Sequence, residues 1–169
     1  MEEREIVNRV ASSSLVTFDL EDYFQPGERA LIDIAPQLYQ GLVLREKEFR
    51  AYVKGHDWSQ YKDKFVAITC SVEAIIPKWA YMLLTAALQP VARLVVFGDL
   101  DDLETRIFRD ELARVDWSQF DGAKVVLKGC SKVEVPAAVY VEATRLLTPR
   151  VSSLMFGEPC STVPVFKKR

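Results

Sequence analysis

Residues 57–71 read DWSQYKDKFVAITCS, and residues 116–131 read DWSQFDGAKVVLKGCS. Both stretches begin with the same four residues, continue into a short apolar run and end on Cys-Ser. A shift of 59 positions brings residues 57–99 onto residues 116–158 with twelve identities in 43 positions, several times the number that chance would give. We therefore predict an internal duplication of about 59 residues, with repeats at approximately 46–100 and 105–159.

Each predicted repeat contains helix, strand, helix and strand in the same order. The second helix of each repeat is bracketed by prolines, which are accepted in a first helical turn and end a helix when they follow it. The predicted helices cover 45–56, 77–90, 103–115 and 136–149, and the predicted strands cover 14–20, 29–34, 64–70, 92–98, 123–129 and 151–157.

Strands that alternate with helices of ten to fifteen residues are typical of a parallel sheet with right-handed crossovers. The predicted strands are continuous apolar runs, as expected when helices cover both faces of a sheet. The sequence therefore predicts an α/β fold: a mostly parallel sheet of about five or six strands with helices on both faces. A chain of 169 residues with 49% hydrophobic residues suits a single α/β domain over residues 1–169.

Composition excludes several classes of protein. A net charge of −2 does not favour a nucleic-acid partner, which would require a basic surface. The longest apolar stretches are far shorter than the roughly 20 residues of a membrane span, so we expect no membrane association. The charged amino-terminal residues do not resemble a signal peptide, and three cysteines do not make a secreted disulfide framework. We predict a cytoplasmic protein.

All three cysteines begin similar phrases: CSVEAIIP, CSKVEVP and CSTVP. Cys70 and Cys130 end predicted strands and Cys160 follows the last one, so all three thiols are expected at the carboxyl edge of the sheet, where ligands bind in such folds. Three thiolates suit zinc, or iron and iron–sulfur chemistry, with one position left for a further ligand. Glu158 or Asp99 is the candidate fourth ligand, because each follows a Phe-Gly at a strand end.

Two alternatives remain open. In the first, the protein is a thiol-based enzyme or sulfur carrier that uses Cys70 or Cys130, activated by the following helix; Ser131 and Glu134 have the spacing of a capping box there. In the second, the protein is a non-catalytic binding or scaffold module, with the cysteines buried as small apolar residues and the serines capping helices. The sequence does not decide whether the protein is an enzyme.

Other candidate motifs carry less weight. The only histidine, His56, is predicted at the end of a helix, at the sheet edge opposite to the thiols. The acidic residues 99–104 are predicted to cap a helix, and those at 19–22 to be solvated in a loop. The chain has neither a glycine-rich phosphate loop nor a G-x-S-x-G motif, which disfavours nucleotide binding and hydrolase chemistry.

Longer phrases carry a family resemblance over nearly the whole chain: IVNRVASSSLVTFDLEDY, GLVLREKEFR, HDWSQY, TCSVEAIIPKWAYMLLTAALQP, VVFGDL, KGCS and CSTVP. Together they resemble the domain-of-unknown-function family numbered 2480, a family typical of Bacteroidetes. The resemblance implies a small cytoplasmic bacterial protein with no established activity. It also implies a role as an accessory to iron–sulfur cluster assembly, with a protein partner from that system, which would favour a site that handles iron or sulfur.

Overall fold

The computed structural model describes residues 15–129 and 131–169 of the chain. Cys130 therefore lies outside the described residues. The helices are α1 (Glu46–Gly55), α2 (Lys78–Leu88), α3 (Leu100–Leu112) and α4 (Ala137–Leu147). The strands are β1 (Leu15–Asp19), β2 (Arg29–Asp33), β3 (Phe65–Thr69), β4 (Leu94–Phe97), β5 (Lys124–Lys128), β6 (Ser153–Glu158) and β7 (Ser161–Lys167). All the predicted helices and strands are present, and β7 is an addition.

The strands form two sheets. The first sheet has the order β1-β5-β6-β7, in which β1, β5 and β6 are parallel and β7 is antiparallel to β6. The second sheet has the order β2-β3-β4 and is wholly parallel. The mixed α/β class is thus confirmed, but the prediction of one sheet was wrong, because strand pairing joins segments far apart in sequence and leaves no local signal.

Contacts within the chain divide it into two units, and the division falls inside α3. Unit 1 comprises the described residues of Met1–Phe24 and Phe108–Arg169, and unit 2 comprises Gln25–Ile107. Each unit contains three parallel strands in the same spatial arrangement, with an upstream strand at one edge and a strand–helix–strand segment beside it. The internal duplication and the single domain over residues 1–169 stay predictions.

The core of unit 2 has two layers on opposite faces of its sheet. One layer packs Ile32, Val66 and Ile68 of the sheet against apolar residues of α1 and α2. The other packs Phe65 and Ala67 against Leu103 and Ile107 of α3. Successive side chains of β3 point to opposite faces and both faces are covered by helices, so β3 is apolar and buried from Phe65 to Ile68. The predicted cover of helices on both faces is thus present in unit 2.

The core of unit 1 packs the same kind of sheet against α4 and the end of α3. Phe18, Val125, Leu127 and Leu154 lie on one face of the sheet. They meet fully buried residues of the two helices: Phe108, Leu112, Val139, Ala143 and Leu147. The same cluster receives Phe166 of β7, so the last strand contributes to the core as well as to the sheet edge.

Strand β7 was missed because its sequence contains Pro164, which argues against a central strand. In the structure β7 is the edge strand of its sheet, where proline is tolerated. Pro164 pairs with Met155, next to a register shift in the β6–β7 ladder. The antiparallel pairing places Cys160 in the turn of a hairpin and the rest of its phrase in β7, whereas the phrase was expected to follow the last strand.

The two DWSQ phrases form the same local structure in both units. Asp57 and Asp116 each accept a hydrogen bond from the backbone two residues later and begin a short 3-10 helix. The indole of Trp58 donates to the carbonyl of Val53 at 2.8 Å, and that of Trp117 donates to Leu112 at 3.1 Å. These phrases therefore close the preceding helix onto the base of the next strand, which is a structural role.

Candidate functional site at the carboxyl edges of the strands

In unit 2, a carboxylate at the end of β2 binds the segment that follows β3. Asp33 accepts hydrogen bonds from the Ser71 backbone N–H at 2.9 Å and from its hydroxyl at 2.5 Å. It also accepts from the Ala35 backbone N–H at 2.9 Å. Burial acts to raise the pKa of Asp33, but the hydrogen bonds from Ser71 and Ala35 outweigh it and hold this pKa below its ordinary value. Asp33 therefore ties two strand ends together.

In unit 1, Glu21 makes a more extensive contact of the same kind. One of its carboxylate oxygens accepts hydrogen bonds from the backbone N–H groups of Ser131, Lys132 (2.8 Å) and Val133 (3.4 Å). The other oxygen accepts from the Ser131 hydroxyl at 2.9 Å. Three successive N–H groups that converge on one anion form a nest, which is a common way to bind negative charge. We call this contact the Glu21 clasp.

The clasp lowers the pKa of Glu21 to about 2. The hydrogen bond from the Lys132 backbone is the largest cause, burial opposes it, and the bonds from Ser131 and Val133 add to the lowering. Hydrogen bonds to the charged form of a carboxyl favour that form. Glu21 is therefore ionised at neutral pH.

The serines after the strands were predicted to cap the next helices, and that prediction was wrong. Helix α2 is preceded by Pro77 and α4 by Pro136, and neither of these residues makes a side-chain capping bond. Ser71 and Ser131 lie several residues earlier and bind the carboxylates instead. The predicted capping box of Ser131 and Glu134 is absent, because α4 begins only after that segment.

An apolar cavity of about 430 Å³ opens beside the clasp in unit 1. Its buried part is formed by Leu127, Val135 and Leu154, and its outer part includes Phe156 and Val165 of the β6–β7 hairpin. Three polar side chains also line it: Glu134, Tyr140 and Thr144. The volume lies within the range of small-molecule sites, which are mostly apolar with a few polar groups.

A smaller polar cavity of about 230 Å³ shares the Phe156 wall with the apolar cavity. Within it, the ammonium of Lys128 lies 3.3 Å from a carboxylate oxygen of Asp19 and 3.5 Å from one of Glu158. The Asp19 carboxylate first, and that of Glu158 second, raise the pKa of Lys128 above its ordinary value. Two carboxylates against one ammonium give this cavity a net negative charge.

The structure places the predicted site residues in different surroundings. Cys70 follows β3 in unit 2, where its thiol donates to the Val72 carbonyl at 3.4 Å and its side chain packs against the core. Cys160 is exposed in the β6–β7 turn of unit 1. Cys130 lies outside the described residues. Since β3 and β6 belong to different sheets, Cys70 and Cys160 do not share one sheet edge as expected, and the position of Cys130 stays a prediction.

The two candidate fourth ligands have structural partners. Glu158 pairs with Lys128, as described above. Asp99 accepts hydrogen bonds from the backbone N–H groups of Asp101 and Asp102, both at 2.9 Å, and thereby caps α3, as expected for this acidic run. Among residues 15–129 and 131–169, no group of three or more His, Cys, Asp or Glu side chains is arranged to hold a metal ion. The three-cysteine metal site thus stays a prediction.

His56 lies directly after α1, as predicted. Its ring packs 4.5 Å from that of Trp58 and lies 3.0 Å from the amide nitrogen of Gln60. Its ring also contacts those of Tyr52 and Tyr61. These contacts give His56 a place in an aromatic cluster at the base of unit 2, which is consistent with a packing role.

Sequence reasoning missed the residues that form the clasp and the cavities. Asp19 and Glu21 were expected to be solvated, and Asp33 and Lys128 were not singled out. One signal was present: Asp19 and Asp33 each lie one residue before the end of a predicted strand, at the edge where ligands bind to parallel sheets. The cavities themselves had no signal in the sequence, since β7 forms part of one wall.

The fold and this site define a class: an α/β protein of mainly parallel sheets, with cavities at the carboxyl ends of its strands. The family model described as "Protein of unknown function (DUF2480)" matches residues 4–168. The chain belongs to the DUF2480 family. Comparison with curated proteins and with solved structures gave no significant match. No helix in the described part of the chain is both long and apolar enough to cross a membrane.

Proposed function

We propose that the protein binds a small molecule with an apolar body and a positively charged group, in the two adjoining cavities of unit 1. The observation that carries this proposal is the apolar cavity of about 430 Å³ that shares a Phe156 wall with the charged cavity around Lys128. Ligands of open α/β sheets bind at the carboxyl ends of the strands, where both cavities lie.

The charge of the lining favours an amine over a carboxylate ligand. Asp19 and Glu158 line the polar cavity together with Lys128, and Glu134 lines the apolar one. Three carboxylates and one ammonium give the lining a net negative charge, which attracts a cationic ligand and repels an anionic ligand of equal chain length. An alkyl or aryl amine would place its apolar body against Leu127 and Leu154, and its ammonium near the carboxylates.

Filling the apolar cavity should weaken binding. We expect decylamine to bind more tightly than decanoate, and Thr144→Phe to weaken decylamine binding at least about tenfold, because the new ring occupies the cavity. Titration calorimetry measures both. Thr85→Phe is the matched control, since Thr85 is exposed at the corresponding position of α2 in unit 2. Equal affinity for the two ligands, or unchanged binding to Thr144→Phe, would contradict the proposal.

We also propose, from the sequence, the metal site of Cys70, Cys130 and Cys160, with Glu158 or Asp99 as fourth ligand and a role beside iron–sulfur cluster assembly. Elemental analysis of tag-free protein purified without chelator should give near-stoichiometric zinc or iron that falls when Cys130 becomes serine. The thiol-based enzyme or sulfur carrier predicts instead one fast-reacting cysteine, Cys70 or Cys130, without metal. Absence of metal, with thiols that react only after denaturation, would contradict both the metal site and the thiol-based function.

The origin and location of the protein are part of the same proposal. The family resemblance supports a bacterial protein from the Bacteroidetes, and the charged, disulfide-poor sequence supports a cytoplasmic location. An amine-binding role and a metal role both fit a cytoplasmic accessory protein.

A further inference from the structure

Equivalent strands of the two units differ in what covers their outer edge. Strand β6 of unit 1 pairs with β5 on one side and with β7 on the other. Strand β4 of unit 2 pairs with β3 on one side, and no other strand of the described chain pairs with it. An unpaired strand edge presents backbone N–H and C=O groups that can accept a further strand.

The side chains beside these two edges correspond closely. In unit 1, Tyr140 and Phe156 form a T-shaped pair with ring centroids 5.9 Å apart. In unit 2, Tyr81 and Phe97 form the same T-shaped pair at 5.1 Å. Phe156 has Val163 of β7 as its cross-strand neighbour. The Tyr81–Phe97 pair has the same shape, and no strand of the described residues pairs with β4 on that side.

The exposed fraction of the two phenylalanines differs in the direction expected from the presence or absence of a neighbouring described strand. Phe156 is 40% exposed, whereas Phe97 is 70% exposed. Ile75 is 92% exposed and lies two residues before Pro77, which precedes α2. Glu134 lies at the equivalent position of unit 1, two residues before Pro136, which precedes α4. Because Glu134 and Phe156 line the same cavity in unit 1, we expect the equivalent Ile75 to extend the apolar surface near Phe97 in unit 2. Exposed apolar surface of this kind marks an interaction site.

We propose that the β4 edge of unit 2 binds an extended segment of a partner protein, which adds antiparallel to β4 as β7 adds to β6. Peptides commonly bind to exposed sheet edges in this way, with backbone hydrogen bonds and alternating side chains in contact. The segment would place an apolar side chain against Phe97 and Ile75.

Charge defines the partner further. Three exposed carboxylates follow the carboxyl end of β4: Asp99, Asp101 and Asp102. Arg93 lies at its amino end. An antiparallel segment has its own amino end beside the carboxylates, so a segment with basic residues first and alternating apolar residues after them complements this edge. The site lies in unit 2 and does not depend on the proposed function of unit 1.

Two peptides of identical composition and opposite order, KKTVTFTV and VTFTVTKK, test the proposal by fluorescence anisotropy with the full chain. We expect KKTVTFTV to bind at least about tenfold more tightly. Phe97→Asp and Ile75→Asp should each weaken that binding about tenfold or more, because both remove an apolar contact. Leu42→Asp, which changes a 65% exposed apolar residue elsewhere in unit 2, is the control and should leave binding unchanged.

Amide hydrogen exchange locates the bound peptide. KKTVTFTV should slow exchange at Leu94–Phe97, which a contact through side chains alone would not do. The proposal is overturned if neither peptide binds, if both bind equally, or if Phe97→Asp binds as the unchanged protein does. A concentration-dependent dimer that Phe97→Asp dissociates would also overturn it, because a second copy would then cover the edge.

Discussion

Replacing Gly129 by alanine is expected to lower the free energy of unfolding by about 3 kcal/mol. Gly129 directly follows β5 and has a φ of +146°, a conformation that residues with a Cβ rarely adopt. A Cβ atom at this position would lie 2.7 Å from the Cβ of Leu20 and 3.2 Å from its backbone nitrogen. Leu20 is fully buried, so it cannot move away without disturbing the core.

Gly122→Ala is the matched control for this prediction. Gly122 also has a positive φ, +74°, but a Cβ atom there would meet no other atom within 4 Å. Its substitution should cost only the backbone strain, about 1 kcal/mol. Urea denaturation followed by circular dichroism measures both changes. If the two variants lose the same free energy, the close packing of Gly129 against Leu20 is not what restricts this position.

Acid should weaken the protein through the Glu21 clasp, and Glu21→Gln should remove that sensitivity. The folded-state pKa of Glu21 is about 2, below its ordinary value of 4.5. A lowered pKa means that the stabilisation is fully present above pH 4.5 and is lost as the pH falls toward 2. Glutamine keeps an oxygen that can accept from the backbone N–H groups of residues 131–133, but it does not titrate.

The measurement is the free energy of unfolding of both proteins between pH 2.5 and pH 7. The unchanged protein should lose stability below about pH 4.5 faster than Glu21→Gln, so that the difference between them shrinks as the pH falls. Asp22→Asn is the control, because Asp22 is the exposed neighbour of Glu21 and makes none of the clasp bonds described above. Parallel pH profiles for the unchanged protein and Glu21→Gln would show that the clasp does not stabilise the charged carboxylate.

The secondary structure could be predicted well, as the positions of the strands and helices show. Residues 65–68 are apolar because both faces of β3 are covered. The segment 77–90 is bracketed by two prolines, of which the first is compatible with the start of a helix and the second ends it. The DWSQ phrases also form local structure, since their aspartates accept hydrogen bonds from the backbone two residues later. Each of these features depends on residues close together in the chain.

The site could be predicted only in part. Its position at the carboxyl ends of the strands follows from chain direction, and Glu158 was named from its place after Phe-Gly. Its other polar contacts join distant segments: a hydrogen bond joins Ser131 to Glu21, and an ion pair joins Lys128 to Asp19. A carboxylate in a loop has the same local sequence whether it is solvated or bound to three backbone N–H groups, so nothing in the sequence identified the clasp.

The sequence by itself determined the class of fold, the order of its elements and the edge at which the residues after parallel strands lie, because periodicity, prolines and strand direction are local properties. Only the tertiary structure decided that the strands form two sheets, that β7 pairs with the outer edge of β6 while no strand of residues 15–129 and 131–169 pairs with that of β4, and that Ser131 binds Glu21 instead of capping a helix. These outcomes depend on pairings between remote segments, whose free energy comes from contacts that no short stretch of sequence contains.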